Sequence, residues 1–285
     1  MNTNVQPVIQ RAYARHQIRQ QGLDLCKVLL ELIQNLQQHR GATLAVLGGD
    51  YFFETRIQAL EPHILKALRT LDRNSVQFLD PLDWRRLYSE WFTVHRQWRQ
   101  DNAIHNFELH THLIQEVQKQ LWTLATRSGH ADQDLNQQHA ARLTLLDLPQ
   151  LMEHVAQLRG LATHAAAGGV CDPEFRVRLE YLSREISGQF QNLEQALAHQ
   201  EELDTRLGRQ SSLLFDSLER WNKLKTRIEA DILVADTIQA SPDALFAEVS
   251  LLISNLYGLT LTGVRQLRTS LDTDIQQWIV SSRYD

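Results

Sequence analysis

Apolar residues recur at three- and four-residue intervals along most of the chain, the period of an α-helix with one buried face. From Leu25 one stripe runs through Leu29, Leu32, Ile33 and Leu36, and another runs through Leu148, Leu151, Met152 and Val155. No segment gives a convincing strand pattern, and only 12 Gly and 6 Pro punctuate the 285 residues. The pattern predicts an all-α fold.

The two stripes head an internal repeat. LIQNLQQHRGATLAVLGGD (32–50) and LMEHVAQLRGLATHAAAGGVCD (151–172) share an apolar stripe, an Arg-Gly pair, a small-residue run and a double glycine. After each double glycine the spacing predicts a second helix, over 53–71 and 175–197. A third follows, with the similar pieces LYSEWFTV and FDSLERWNKL, in which Trp91 and Trp221 are equivalent core aromatics. Fourth helices are predicted over 107–124 and 246–267, where Leu113, Ile114 and Val117 match Leu252, Ile253 and Leu256. Asp80-Pro81 and Ser241-Pro242 suit helix starts, because Asp or Ser caps the free N–H groups and Pro is tolerated in the first turn. Four helices per copy predict two tandem, repeat-related four-helix bundles. The polar run Ser128 to Gln138 marks the boundary between them. The expected division is a basic N-terminal segment over 1–22, a first bundle over 23–135, and a second bundle with a C-terminal helix over 136–285.

Charge and chemistry narrow the function. A formal net charge of −5 gives no whole-chain footprint for nucleic acid, so no direct nucleic-acid binding is expected. Arg11, Arg15 and Arg19, at i, i+4 spacing, read as a solvated face. Cys26 and Cys171 belong to no Cys/His cluster and suggest neither zinc nor a disulfide. Without a signal-like apolar core or a run of about 18 apolar residues, a cytoplasmic protein that does not engage a membrane is expected. No nucleophile elbow, dinucleotide fingerprint or phosphate loop is present, so neither enzymatic activity nor a cofactor is expected. Glu108 and His112 stand one turn apart, but the Glu-x-x-His pairs of a di-iron bundle are missing, and no metal is expected.

The arginines of the repeat are the main chemical feature. Arg40 lies four residues beyond Leu36 and Arg159 four beyond Val155, so each continues its buried stripe and points inward. A buried guanidinium needs an acidic neighbour, a cluster of carbonyls or a bound anion. The pattern leaves open whether these are structural ion pairs, side chains that reach out to water, or ligand-binding groups. Gly41 and Gly160 each cost about 1 kcal/mol in a helix relative to alanine, a cost offset where a backbone or ligand must approach closely.

The segment Leu36-Gln37-Gln38-His39-Arg40-Gly41 resembles the first-helix LQxERG motif of the NIT (nitrate- and nitrite-sensing) domain family. Ala156-Gln157-Leu158-Arg159-Gly160 is similar to that family's second copy, and the segment from Phe107 to Val117 to its recurring aromatic-x-x-Leu-Ile piece. The resemblance covers 25 to about 270. It implies that Arg40 and Arg159 together hold nitrate or nitrite at the junction of the bundles, with Gly41 and Gly160 beside them. Thr43, Thr163 and His164 are further candidates, although helix-backbone bonding for the threonines and simple exposure for the histidine compete with that role. Two positions depart from the family pattern: His39 replaces a glutamate and Leu158 a polar residue. Members are commonly joined to an output module and none is left over here, so the resemblance implies a sensor that signals to a separate partner protein; a homodimer stays open. The stripe Leu271, Ile275 and Trp278 reads as the end of the bundle or as a docking face. The competing reading of the whole chain is a helical adaptor with structural arginines and no small ligand.

Overall fold

A computed structural model describes residues 5–131, 135–201 and 208–281. Residues 1–4 of the basic segment, 132–134 of the boundary run and 282–285 at the C-terminus lie outside the described residues. The described residues are mainly helical, joined by short loops, with no strand among them.

The first half contains α1 (Val5–Leu47), α2 (Glu54–Asn74), α3 (Pro81–Gln97) and α4 (Ala103–Arg127). The basic segment and the first apolar stripe are one continuous helix, α1, with Arg11 and Arg15 exposed. The second half contains α5 (Leu135–Arg142), α6 (Leu148–Gly168), α7 (Pro173–Glu201), α8 (Gly208–Ile228) and α9 (Pro242–Ser281). A π-turn over Leu143–Asp147 joins α5 to α6, so the pair is the counterpart of α1. Pro149 explains the widening: it has no N–H for the carbonyl one turn back, and its ring would clash there in a regular helix. The wide turn rests on Gly263 of α9, where a Cβ would lie 2.2 Å from Thr144 Oγ1.

The double glycines end equivalent helices. Gly49, after α1, has φ of 108° and Gly169, after α6, has φ of 72°, a left-handed backbone that glycine adopts without strain. Asp80 caps α3 by accepting from the Leu82 N–H at 2.8 Å, and Ser241 caps α9 by accepting from Ala244 at 3.3 Å.

Each half has its own core, with Trp91 buried in the first and Trp221 in the second. α9 serves both. Its Leu252, Ile253 and Leu256 enter the second core, whereas Val264, Leu267 and Leu271 enter the first. By length and composition α9 is apolar enough to cross a bilayer, and 44% of its most apolar window is buried. It runs antiparallel to α1, with Arg268 donating to Asp24 at 2.6 Å and Gln20 to Asp272 at 2.9 Å. The C-terminal stripe therefore packs at the end of the bundle: Leu271 is buried, and Ile275 and Trp278 sit half-buried beside Ala12, Arg15 and His16. Cys26, buried, and Cys171, partly buried, are both free thiols.

Parallel contact between α1 and α6 joins the halves. A Cβ on Gly160 would lie 3.8 Å from Gly41 Cα, and one on Gly48 would lie 2.9 Å from Ala167 Cβ. The small-residue run of each repeat is what lets these two backbones meet.

Candidate functional site

Arg40 and Arg159 both lie at this contact, 0% and 1% exposed, and they belong to one polar network. Arg40 holds the carboxylate of Glu153, on α6, in a forked grip: Nη1 donates to Oε1 at 2.6 Å and Nη2 to Oε2 at 3.1 Å. Nη1 also donates to Thr111 Oγ1 at 2.9 Å. Gln37 and Gln157 donate to the remaining lone pairs of Glu153, each at 2.9 Å. The ring of Phe107 lies 5.5 Å from the Arg40 guanidinium. Arg40 is thus held by a well-satisfied buried ion pair, the geometry such a pair needs to offset desolvation.

Arg159 is held differently. Its Nη2 donates to the Gln37 carbonyl at 2.8 Å and its Nη1 to Ser250 Oγ at 2.8 Å. The guanidinium lies over the Phe246 ring at 4.3 Å, and Arg56 of α2 lies over the same ring at 4.5 Å. None of its hydrogen-bond partners is a carboxylate. Burial pushes its pKa down to about 9, the charges of Arg40 and Arg56 add to the shift, and Glu153 opposes it. Two buried guanidiniums facing a single carboxylate leave an excess positive charge. Arg40 Nε, Arg159 Nε and Thr163 Oγ1 are all buried without a hydrogen-bond partner.

The glycines of both Arg-Gly pairs are explained by packing. A Cβ on Gly41 would lie 2.9 Å from Phe246 Cε2 and 3.3 Å from Arg159 Nε; one on Gly160 would lie 2.8 Å from Leu44 Cδ1. Gly41→Ala is therefore expected to cost about 1–3 kcal/mol, despite alanine's better helix propensity. Gly258 of α9, with nothing near its Cβ position, is the control: Gly258→Ala should stabilise by up to about 1 kcal/mol. Urea unfolding midpoints of the two variants give the comparison.

Other residues singled out in the sequence have varied surroundings. Thr43 Oγ1 is within reach of the Arg40 carbonyl at 3.0 Å and of Asn106 Oδ1 at 2.9 Å, and donates to one of them, away from the guanidiniums. His164 donates through Nδ1 to the Leu44 carbonyl at 2.9 Å. His39 points to His110, with Nδ1 2.8 Å from His110 Nε2. Glu108 and His112 diverge: Glu108 pairs with Arg178 at 2.7 Å, and His112 faces Glu90 at 3.9 Å. The residues that sequence reasoning missed are Glu153, Gln37, Thr111, Ser250 and Phe246. One signal was available, since Glu153 is the only acid between Asp147 and Asp172, within an otherwise buried helix.

A cleft of about 310 Å³ opens beside this network, lined by Thr111 and Gln157, which touch Arg40 and Glu153, and by Phe107 and Arg178. It gives solvent a way to the edge of the ion pair.

No protein-family model matches the sequence, and no curated protein matches it. Among solved structures, that of the NasR transcription antiterminator aligns with 96% of this chain and 74% of its own, at a TM-score of 0.69 and 15% sequence identity. This chain thus shares its overall all-helical fold with the NasR antiterminator.

Proposed function

We propose that the protein is a non-enzymatic regulatory sensor that binds nitrate or nitrite where its two helical halves meet, using Arg159 and Arg40. The observation that carries this reading is the buried cation Arg159, which has no carboxylate partner and stands beside a second arginine whose single carboxylate is already shared. A flat trigonal oxyanion matches the planar, forked donors of a guanidinium, and a desolvated site strengthens such charge-assisted bonds. The unpartnered Nε atoms of the two guanidiniums are donors available to it, and the Thr163 hydroxyl, one turn beyond Arg159 on α6, is also without a partner. The fold likeness to NasR, a transcription antiterminator, supports a regulatory role. So does the resemblance of the two Arg-Gly segments to the NIT family.

The same geometry supplies a switch. Gly41 and Gly160 are in contact, so an anion enters between the arginines only if α1 and α6 shift. An anion that binds the shifted state better than the closed one moves that equilibrium. α9 touches Arg159 through Ser250 and Phe246, and its far end packs beside Ala12 and Arg15 of α1, which offers a route by which a shift at the site would be relayed to a separate partner protein.

Thermal unfolding with nitrate, nitrite, chloride, sulfate or perchlorate at matched ionic strength tests the reading. A ligand at about 100 times its dissociation constant stabilises by about 2.7 kcal/mol. Nitrate or nitrite should raise the midpoint by a few degrees, and Arg159→Met should abolish the shift. One observation favours a second reading, an adaptor with structural arginines: the Nη atoms of Arg40 are already satisfied by Glu153 and Thr111. That reading requires that the five salts shift the midpoints of the wild type and of a folded Arg159→Met variant by the same amounts, as general salt effects alone would.

A further inference from the structure

A chain of hydrogen bonds fixes the proton positions on two buried histidines. His110 Nδ1 lies 2.8 Å from the Asn106 carbonyl oxygen, which can only accept, so Nδ1 carries a proton. In the neutral ring Nε2 is then a bare lone pair. His110 Nε2 must then accept from His39 Nδ1, 2.8 Å away. With its one ring proton on Nδ1, a neutral His39 presents Nε2 as a bare lone pair. That nitrogen is buried and has no hydrogen-bond partner.

The surroundings of His39 are those of a ligand set. Glu61 of α2 and His95 of α3 converge on it, and one donor atom from each of the three residues lies within 4.8 Å of the others. His95 Nδ1 also lacks a hydrogen-bond partner, although Glu61 Oε1 is 3.1 Å away. Trp91 packs against both imidazoles, edge-on to His39 at 5.1 Å and stacked on His95 at 5.6 Å.

We propose that His39 Nε2, His95 and Glu61 bind a divalent transition-metal ion of the zinc class. Two neutral imidazoles and one carboxylate are a borderline donor set that suits Zn²⁺, with metal–ligand distances of about 2.0–2.2 Å. Ligands of one tetrahedral ion sit about 3.4 Å apart, so small rotations of Glu61 and His95 close the set. Both side chains are partly exposed, at 27% and 33%, and a water would complete the set as the fourth ligand. The bond from His39 Nδ1 to His110 is the outer support that a metal-bound imidazole ordinarily has. Arg99, the guanidinium that bears on His39, is paired with Glu54 at 3.9 Å. The site pins α2 and α3 to α1 one residue from Arg40, and it does not depend on the anion reading.

The test is calorimetric titration of the metal-stripped, tag-free full chain with Zn²⁺, followed by the visible absorption of the Co²⁺ form. One Zn²⁺ per chain is expected, with the intense bands of four-coordinate Co²⁺. Glu61→Gln and His95→Ala should each weaken binding at least about tenfold and remove the Co²⁺ bands. His112→Ala, at an exposed histidine, should leave both unchanged. No Zn²⁺ binding, or binding that survives both Glu61→Gln and His95→Ala, overturns the proposal and leaves the cluster a hydrogen-bonded relay.

Discussion

Glu153→Gln should destabilise the protein by about 3–5 kcal/mol, the usual cost of breaking a buried ion pair by removing one partner. The substitution keeps shape and volume but removes the only carboxylate that Arg40 holds, leaving two guanidiniums buried at the contact of α1 and α6 without a counter-charge. Gln37 and Gln157, which donate to that carboxylate, would then face a neutral amide. Under the proposed function the loss is conditional. A carboxylate and a nitrate ion present similar planar oxygens, so Glu153 is an internal occupant of the Arg40 fork. Nitrate should recover part of the lost stability in Glu153→Gln and bind this variant more tightly than the wild type. Chemical unfolding with and without nitrate measures both effects. If the stability loss were unaffected by nitrate, Glu153 would be a structural partner only.

Acid should weaken the fold by about 3 kcal/mol between a pH of about 7.5 and about 5.5, through His39 and His110 together. Burial is the main cause of depression in both: the pKa of His39 lies well below 6.5 and that of His110 falls to about 3. Well above 6.5, beyond about 7.5, both residues are neutral whether the chain is folded or not, and they give no pH dependence. Below it the unfolded chain takes up protons that the folded protein refuses, so stability falls with falling pH until the folded-state values are reached. Over the two pH units centred on 6.5 each such group costs about 1.4 kcal/mol in all, and two of them about 3 kcal/mol. His130 and His164, also lowered by burial, act in the same direction. Urea midpoints across this range should move steadily to lower urea as pH falls; constant midpoints would mean that these histidines become charged without unfolding.

The helices and their repetition were legible because they are written locally. A 3.6-residue period, Asp80 and Ser241 before proline, and glycine pairs at 48–49 and 168–169 each act within one or two turns. The structure places a helix start or a left-handed glycine at each of these points. The burial of Arg40 and Arg159 followed from the same periodicity. Their partners did not follow, because partners depend on the register between helices distant in sequence. Glu153 reaches Arg40 only when α6 lies parallel to α1 with Gly160 on Gly41. Phe246 was visible as the start of a fourth helix, but its place under Arg159 depends on α9 running antiparallel to α1. The histidines show the same limit. Glu108 and His112 are neighbours by spacing and part company in space, whereas His39, Glu61 and His95 come from three helices and share no motif. The π-turn before Pro149 was signalled only by the proline.

Equilibrium titration of nitrate into the wild-type chain and into Arg159→Met tests the central claim most directly, because Arg159 is the buried cation that lacks a carboxylate. The account predicts saturable binding of one anion per chain in the wild type, no binding in a folded Arg159→Met variant, and tighter binding in Glu153→Gln. Wild-type protein that binds neither nitrate nor nitrite, or a folded Arg159→Met variant that binds as tightly as the wild type, would contradict it.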